Sequence, residues 1–268
     1  RRQRQMCIRD SNSSDPSISL FWRPISFKWG KPGCDSVDPK MFFMGSCSKC
    51  GFTGELDEAE YRTSGNDPQT YKCSFNEPAL QQIKKASSSG KGVTQSLLKR
   101  VGEEDEHAST IAIFHLAIFS QCCRARIVPG NIARYYLRLG WLYRDQEKFY
   151  PDSSVESIAA SMAKVKGRWE KDLPPSEEYP RPPSVVCNEA EALVQSRTYF
   201  ERNYETLKEA QVEDELRLMY LLAEIGFRLY TLTDDADDHK KAATFFSGTM
   251  QQCLSIVSNK TIVGGAVN

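Results

Sequence analysis

The chain has 268 residues with 35 basic and 35 acidic side chains, so its formal net charge at pH 7 is zero. That balance excludes the bulk attraction by which basic proteins bind nucleic acid, and a hydrophobic content of 40% is that of an ordinary globular protein. The longest apolar run, Ile111–Phe119, is too short to span a bilayer, so no membrane partner is expected.

Nine cysteines occur at irregular spacing in a sequence that shows no secretory signal. This pattern favours a reducing compartment, in which cysteines act as thiols or metal ligands rather than as a disulfide framework. We therefore expect a cytoplasmic protein.

Residues 1–18 are expected to be a disordered or artefactual tail. The first ten residues, RRQRQMCIRD, are basic and aperiodic, and the string RQRQMCIRDS resembles a translated sequencing adapter. We exclude this tail from the fold prediction and expect the natural N-terminus to be missing.

Residues 19–80 have the texture of a small β-rich segment. Short aromatic pieces at Ser19–Trp22, Ile25–Trp29 and Met41–Gly45 are separated by prolines and glycines. A segment of this size buries too little apolar area to be stable alone, so a covalent or metal staple is expected.

The expected staple is a structural zinc ion bound by the sequence CSKCGF, in which Cys47 and Cys50 flank two residues. The two-residue gap of a zinc knuckle brings both thiolates to one ion, and the following glycine lets the turn expose backbone N–H groups to the sulfurs. Cys34 and Cys73 are the candidates for the two remaining ligands, although neither forms a second CxxC. A redox pair, or a cysteine pair with no special role, stays open as an alternative.

Residues 81–101 are predicted to be a flexible linker that marks the domain boundary. Their centre is the low-complexity sequence SSSGKG. This sequence is not a phosphate-binding loop, because its lysine is followed by glycine and no strand precedes it.

An α-helical domain is predicted over residues 102–260. Its first helix, Ser109–Arg126, is apolar almost all round and is expected to be buried. Within it we interpret His115 as a hydrogen-bonded core histidine rather than a catalyst, and Cys122 and Cys123 as small core residues.

The second helix, Pro129–Asp145, has the order Tyr136-x-x-Leu139-Gly140-x-x-Tyr143, which matches the first-helix signature of a tetratricopeptide (TPR) repeat. A glycine inside a helix costs about 1 kcal/mol relative to alanine. We therefore expect Gly140 to allow a neighbouring helix to approach its backbone closely.

A basic ridge accompanies these two helices, and we interpret it as a solvated face. It consists of Arg124, Arg126, Arg134 and Arg138.

Further helices are predicted over Ser153–Trp169, from the N-cap Asn188 through Leu207, and over Glu213–Leu232. A proline-rich insertion is predicted at residues 173–187.

The repeat signature returns near the C-terminus. Its positions are Leu222, Ile225, Gly226 and Leu229 on a first helix, and Ala242 and Phe246 on a second helix. The aspartate-rich residues 234–238 between them are interpreted as a solvated helix N-terminus rather than a calcium site. Residues 261–268 are predicted to be a frayed tail.

The chain resembles an uncharacterised bacterial family, domain of unknown function 2225, whose members look like a cysteine-rich zinc ribbon followed by TPR-like helices. The matching stretches are DPKMFF leading into CSKCGF, the helix pair FHLAIFSQCCRARIVPGNIARYYLRLGWLYRD, and DELRLMYLLAEIGFRLY with the helix beyond it. Family members generally have an earlier CxxC, which the N-terminal tail replaces here, so the resemblance implies ligand status for Cys47 and Cys50 alone. It also implies a cytoplasmic, non-enzymatic role.

Together these patterns predict a mainly α protein, a TPR-like antiparallel helical-repeat domain with a small zinc-ribbon-like N-terminal segment. The function they favour is a non-catalytic scaffold whose concave helical face binds a protein or peptide partner. One alternative is a thiol-redox or metal-dependent enzyme that uses Cys47 and Cys50. Another is a nucleic-acid-binding zinc ribbon that uses Lys49, Arg62 and Lys72, a role against which the sparse basic residues argue.

Overall fold

The computed structural model of the protein describes residues 43–46, 51–55, 63–64, 67–71, 77, 81, 85, 88, 92–101, 105–125, 127–149, 155–172, 184–207 and 212–264. Over these ranges the chain is mainly helical, with two small antiparallel sheets, so the prediction of a mainly α protein is confirmed. The predicted strands Ser19–Trp22 and Ile25–Trp29 lie outside the described residues, as does most of the proline-rich insertion.

The helices follow one another along the chain from residue 93 to residue 264. They are α1 (Val93–Leu98), α2 (Glu106–Cys122), α3 (Pro129–Phe149), α4 (Val155–Asp172), α5 (Glu189–Leu207), α6 (Val212–Thr233) and α7 (Ala236–Gly264). Helix α7 continues into the predicted C-terminal tail, of which residues 261–264 are helical.

The strands form two hairpins ahead of the helices. Strand β1 (Met44–Ser46) pairs with β2 (Thr53–Glu55), and β3 (Thr63–Ser64) pairs with β4 (Asp67–Tyr71). The first hairpin packs on α2, where the Thr53 N–H donates to Ser120 Oγ at 3.0 Å. This strand pair is therefore attached to the helical core.

Helix α2 is the most deeply buried element. All of its residues except Glu106 and Ile113 are buried, as expected for a helix that is apolar almost all round. It begins three residues before the predicted start, because the carboxylate of Asp105 accepts a hydrogen bond from the Ala108 N–H at 2.9 Å and caps the helix.

Helices α3 and α5 pack side by side in opposite directions. Near the start of α3, Gly130 lies beside Asn203 at the end of α5, and further along α3, Gly140 lies beside Leu193 near the start of α5. Between these points Ser196 Oγ donates to the carbonyl of Ala133 at 3.0 Å. The two helices are thus in contact over most of their length.

The antiparallel order continues through α6 and α7. Arg228 donates two hydrogen bonds of 2.8 Å to Glu189, and Tyr204 bonds Glu215 at 3.2 Å, so α5 and α6 also run in opposite directions. Gly226 lies beside Ala242 at one end of the α6–α7 pair, and Gln252 donates to Glu215 at the other. Helices α3, α5, α6 and α7 therefore form one continuous antiparallel layer.

Helix α4 is set aside from this layer. It contacts α1 instead, and its buried Trp169 packs edge-on against Phe119 of α2 with ring centroids 4.8 Å apart. Helix α4 lies between α3 and α5 in sequence but not in space. Asn188, which caps α5, therefore comes 39 positions after Phe149, the last residue of α3.

The linker predicted over residues 81–101 is wrong at its C-terminal end. Residues 93–98 form α1, and Val93 and Leu97 are both completely buried in the core. Their four-residue spacing places them on one helical face. Two apolar residues are a weak helix signal, and low-complexity serines precede them within residues 81–101. This segment therefore contributes to the helical domain rather than merely leading into it.

Candidate functional site

A groove with a volume of about 420 Å³ runs between α3, α5 and α6. It is lined by Arg134, Leu137, Arg138 and Trp141 of α3, by Phe200 and Asn203 of α5, and by Asp214, Arg217, Leu218 and Leu221 of α6. Its volume falls within the range of pockets that bind ligands, which is about 300–1,000 Å³.

The floor of the groove is apolar and is anchored in the core. Leu137, Phe200 and Leu218 are buried, while Trp141 and Leu221 are partly exposed to the groove. The indole nitrogen of Trp141 is shielded from water and has no hydrogen-bond acceptor among the described residues. An unsatisfied buried donor is unusual in a folded protein.

The rim is rich in guanidinium groups. Arg138 lies over the ring of Phe43 at 4.1 Å from its centroid and donates to Glu55 of β2 at 3.3 Å. Burial lowers the pKa of Arg138, whereas the neighbouring carboxylate of Glu55 raises it. Arg134, on the preceding turn, is 3.4 Å from the same carboxylate. The first strand pair therefore holds one acidic side chain against two arginines of the groove.

These contacts correct the interpretation of the basic ridge as a solvated face. Arg124 is only 5% exposed, and Arg138 is held between an aromatic ring and a carboxylate, so neither is a solvated side chain. Arg134 is half-exposed, and Arg126 lies outside the described residues.

Three side chains bond α2 and α3 to residues 184–186 of the segment that leads into α5. The hydroxyl of Tyr136 donates to the Ser184 carbonyl at 2.6 Å, and that of Tyr143 donates to the Val186 carbonyl at 2.8 Å. The Val186 N–H donates to Nε2 of His115 at 3.3 Å. The two tyrosines of the predicted repeat signature thus fix the chain where it enters α5.

His115 is enclosed completely by the core. Its Nδ1 lies 2.9 Å from the carbonyl of Ile111, and burial lowers its pKa to about 4. Both ring nitrogens are engaged with the backbone, so the ring is neutral at pH 7 and has no free position from which to act as a base.

Gly140 and Leu139 lie at the contact between α3 and α5. Leu139 is completely buried, and a Cβ added to Gly140 would lie 3.1 Å from Cδ2 of Leu193 and 3.8 Å from Cβ of Ala192. The close approach therefore comes from α5, which follows the α4 insertion.

Gly226 has the equivalent place between α6 and α7. A Cβ there would lie 3.1 Å from Cβ of Ala242 and 3.3 Å from the backbone oxygen of Asp238. Leu222 and Ile225 on the same helix are completely buried. Phe246 is partly buried and packs edge-on against Tyr220, with ring centroids 5.9 Å apart.

The aspartate-rich residues 234–238 at the start of α7 are solvated with one exception. Asp234, with φ 58°, and Asp235 are exposed, and the carboxylate of Asp235 accepts from the Asp237 N–H at 2.9 Å. Asp238 is buried instead and forms an ion pair with Arg197 of α5. The interpretation as a solvated helix start is therefore wrong for Asp238, which joins α7 to α5.

The candidate zinc ligands Cys34, Cys47, Cys50 and Cys73 all lie outside the described residues. The residues on either side of the CxxC segment are described. Ser46 pairs with Thr53, which brings the two ends of the segment together, and Gly51 has a φ of 75°, a left-handed conformation that glycine adopts readily. A Cβ at Gly51 would lie 2.0 Å from Cγ2 of Thr94, so α1 also requires glycine there.

Among the residues that the structure does describe, no three His, Cys, Asp or Glu side chains are grouped so that they could hold a metal ion. Burial raises the pKa of both Cys122 and Cys123, so these thiols remain protonated in the core, as predicted for small core residues. Within the described residues, no helix is long enough and apolar enough to cross a membrane.

The sequence did not predict the groove, although it did predict the helices that line it. Arg134, Arg138 and Trp141 stand on the helix that the sequence marks most clearly, but Arg217 and Asn203 are two polar positions on separate helices. Only the packing of α3 against α5, together with that of α5 against α6, places them around one groove.

Comparisons with known proteins match the chain to a sequence family. The sequence model of a family described as an uncharacterized protein conserved in bacteria, DUF2225, matches residues 34–263. No curated protein and no solved structure matches the chain.

Proposed function

Because the chain belongs to the DUF2225 family, whose description states no activity, we propose from its own residues that it is a non-catalytic interaction protein of the bacterial cytoplasm. Its groove between α3, α5 and α6 binds a peptide segment of a partner protein. Its helices act as TPR-like repeats, and a structural zinc ion stabilises the strand pair beside the groove.

The groove is the observation that carries this proposal. It combines an apolar floor with a polar rim, the combination by which helical proteins hold an extended or helical peptide. Trp141 and Arg134 are of the residue types that contribute most to binding at interfaces. The engaged state of His115 supports a role without acid–base catalysis.

The TPR-like interpretation is supported by a contact that occurs twice. In both helix pairs a glycine of the first helix faces an alanine of the second helix, Gly140 with Ala192 and Gly226 with Ala242. Repeat proteins use such small residues where paired helices approach, and they bind partners on the face that the first helices form. Here α3 and α6 contribute most of the groove lining.

A capture experiment tests the peptide-binding function. The full chain is immobilised and exposed to a bacterial lysate, alongside the variant Trp141→Ala and the matched control Phe227→Ala, whose ring is exposed on α6 outside the groove. We expect a reproducible partner that is retained by the wild type and by the control and lost by Trp141→Ala. Equal capture by all three folded proteins would place binding elsewhere and contradict the proposal.

The zinc proposal has a separate test in the metal content of the purified chain. We expect about one zinc per chain, the stoichiometry of a single four-ligand site, with loss of the metal in Cys47→Ser and in Cys50→Ser. A metal-free protein in which both thiols react with a thiol reagent would contradict the structural site and favour the thiol-redox alternative.

A further inference from the structure

The groove that we propose as a peptide site has an uneven charge. Three of its lining residues, Arg134, Arg138 and Arg217, carry guanidinium groups, and among the described residues its lining has a single carboxylate, that of Asp214. The chain as a whole is neutral, so this excess of positive charge is local to the groove.

The one lining carboxylate neutralises little of that charge. Asp214 lies 3.8 Å from Arg217 on the same helix, and the two side chains are 52% and 57% exposed. An exposed pair at this distance is weak and is screened by salt. Because the Arg217 side chain is 57% exposed, its guanidinium can be reached by a ligand in the groove.

A second carboxylate reaches the groove from outside it. Glu55 of β2 lies 3.4 Å from Arg134 and 3.3 Å from Arg138. Neither distance is that of a short bidentate pair, in which N⁺–H···O⁻ bonds measure about 2.7–2.9 Å. Glu55 therefore marks a position where a carboxylate is attracted, and a ligand carboxylate with closer geometry can replace it.

The apolar floor limits what such a ligand can be. Trp141, Phe200 and Leu221 offer a surface for a bulky side chain. A free anion satisfies the arginines but leaves the floor uncovered. A peptide supplies carboxylates and a bulky side chain together.

We propose that the groove binds an acidic peptide segment of a partner protein, whose carboxylates contact Arg134, Arg138 and Arg217 while one bulky apolar side chain covers Trp141. This inference rests on the proposed function, since it names the partner chemistry for the same groove. Glu55 is then an internal competitor that occupies part of the site when no partner is bound.

The test is selection from a random-sequence peptide library displayed on phage, with the full chain as the target. Selected peptides are expected to be enriched in Asp and Glu around an aromatic or aliphatic residue. Enriched peptides without an acidic bias would overturn this inference and leave peptide binding intact. No enrichment above a target-free control would contradict the proposed function as well.

The selected peptide then separates the groove from other surfaces. Fluorescence anisotropy is measured with that peptide and with a version in which Gln replaces every Glu and Asp. We expect the neutral version to bind the wild type at least about tenfold more weakly, the effect of losing one charge-assisted hydrogen bond. Equal affinities would overturn the inference.

Variants of the chain identify the contacts. Arg217→Gln is expected to weaken binding of the acidic peptide about tenfold, and the matched control Lys164→Gln on α4, an exposed charge outside the groove, should leave it unchanged. Glu55→Gln is expected to strengthen binding several-fold, because the competing carboxylate is removed. Weakened binding in Glu55→Gln, or displacement of the peptide by an oligothymidine that binds more tightly, would contradict the proposal.

Discussion

Two helix pairs of this protein share one packing contact but differ in what surrounds it. In the α3–α5 pair, Gly140 faces the end of a flexible side chain, that of Leu193. In the α6–α7 pair, Gly226 faces the backbone oxygen of Asp238 and the short side chain of Ala242, neither of which can rotate away. The two glycines occupy the same place in the sequence signature, but a larger residue is expected to be tolerated better at Gly140 than at Gly226.

The two pairs also differ in what they offer to a partner. In the first pair, α3 packs against α2, and the pair contributes six of the ten residues that line the groove. The second pair ends the layer with exposed apolar residues such as Met250 and Leu254 on α7. The groove therefore lies between the two pairs, and α6 of the second pair supplies the other four lining residues.

The largest effect is expected where the two pairs are joined. Arg197 of α5 and Asp238 of α7 form an ion pair in which both side chains are nearly buried. Replacing Arg197→Met leaves the carboxylate of Asp238 buried without its partner, so we expect the free energy of unfolding to fall by about 3–5 kcal/mol. Urea unfolding monitored by circular dichroism measures this loss.

The double variant Arg197→Met with Asp238→Leu is the control. Because it removes both charges, it should recover most of the lost stability. A loss below about 1 kcal/mol in the single variant, which is typical of an exposed pair, would show that the two helix pairs are not joined in this way.

A pH effect is expected at the first pair, because His115 of α2 bonds the segment that leads into α5. Burial lowers its pKa from 6.5 to about 4, so the unfolded chain binds a proton before the folded chain does as the pH falls. The stability that the neutral ring provides is thus fully present above about pH 6.5 and is lost as the pH falls toward 4. At the lower limit the loss is about 3 kcal/mol.

The measurement compares the free energy of unfolding of the wild type and of His115→Gln over this pH range. Glutamine keeps a donor and an acceptor but does not titrate, so the difference between the two proteins isolates the histidine. Parallel pH profiles for the two proteins would contradict the account.

Alanine substitutions at three glycines sharpen the comparison between the pairs. Alanine gains about 1 kcal/mol in helix propensity at each position, and overpacking opposes this gain by about 1–3 kcal/mol where the neighbours cannot move. We expect Gly226→Ala to destabilise the fold by about 1–2 kcal/mol and Gly140→Ala to be within about 0.5 kcal/mol of the wild type. Thermal and urea unfolding measure both.

Gly167→Ala is the matched control, because nothing lies within 4 Å of a Cβ added there. It should stabilise the protein by about 1 kcal/mol, the propensity gain alone. A greater loss at Gly140 than at Gly226 would reverse the comparison.

The smallest effect on stability is expected at the strand pair. Glu55 is partly exposed and its distances to Arg134 and Arg138 are long, so Glu55→Gln should lower the free energy of unfolding by less than about 1 kcal/mol. Urea unfolding at low and high salt checks this, with the difference from wild type shrinking at high salt. A loss of several kcal/mol would mean that this carboxylate is part of the core rather than a competitor at the groove.

The helical fold was largely predictable because its long helices carry strong local signals. The start of α3 at Pro129 and the N-cap Asn188 of α5, whose Oδ1 accepts from the Glu191 N–H at 2.9 Å, are both set by nearby residues. Helix α1 was missed because six residues give too short a pattern to stand out beside a serine-rich window.

The groove was less predictable because it depends on contacts between distant parts of the chain. The arginines of α3 stand off its apolar face, and such side chains are usually solvated. Their actual neighbours are Phe43, just before β1, and Glu55 of β2. Both lie more than seventy residues earlier in the chain, a separation over which local pattern carries no information.

The most direct test of the central claim is site-specific photo-crosslinking in bacterial cells. A photoreactive phenylalanine is placed at Leu221, which lines the groove, or at Phe227, which is exposed on the same helix outside it. The account predicts a discrete crosslinked protein from position 221 alone, joined through an acidic segment that mass spectrometry identifies. Crosslinks of equal yield from both positions, or from position 227 alone, would contradict the claim that this groove is the binding site.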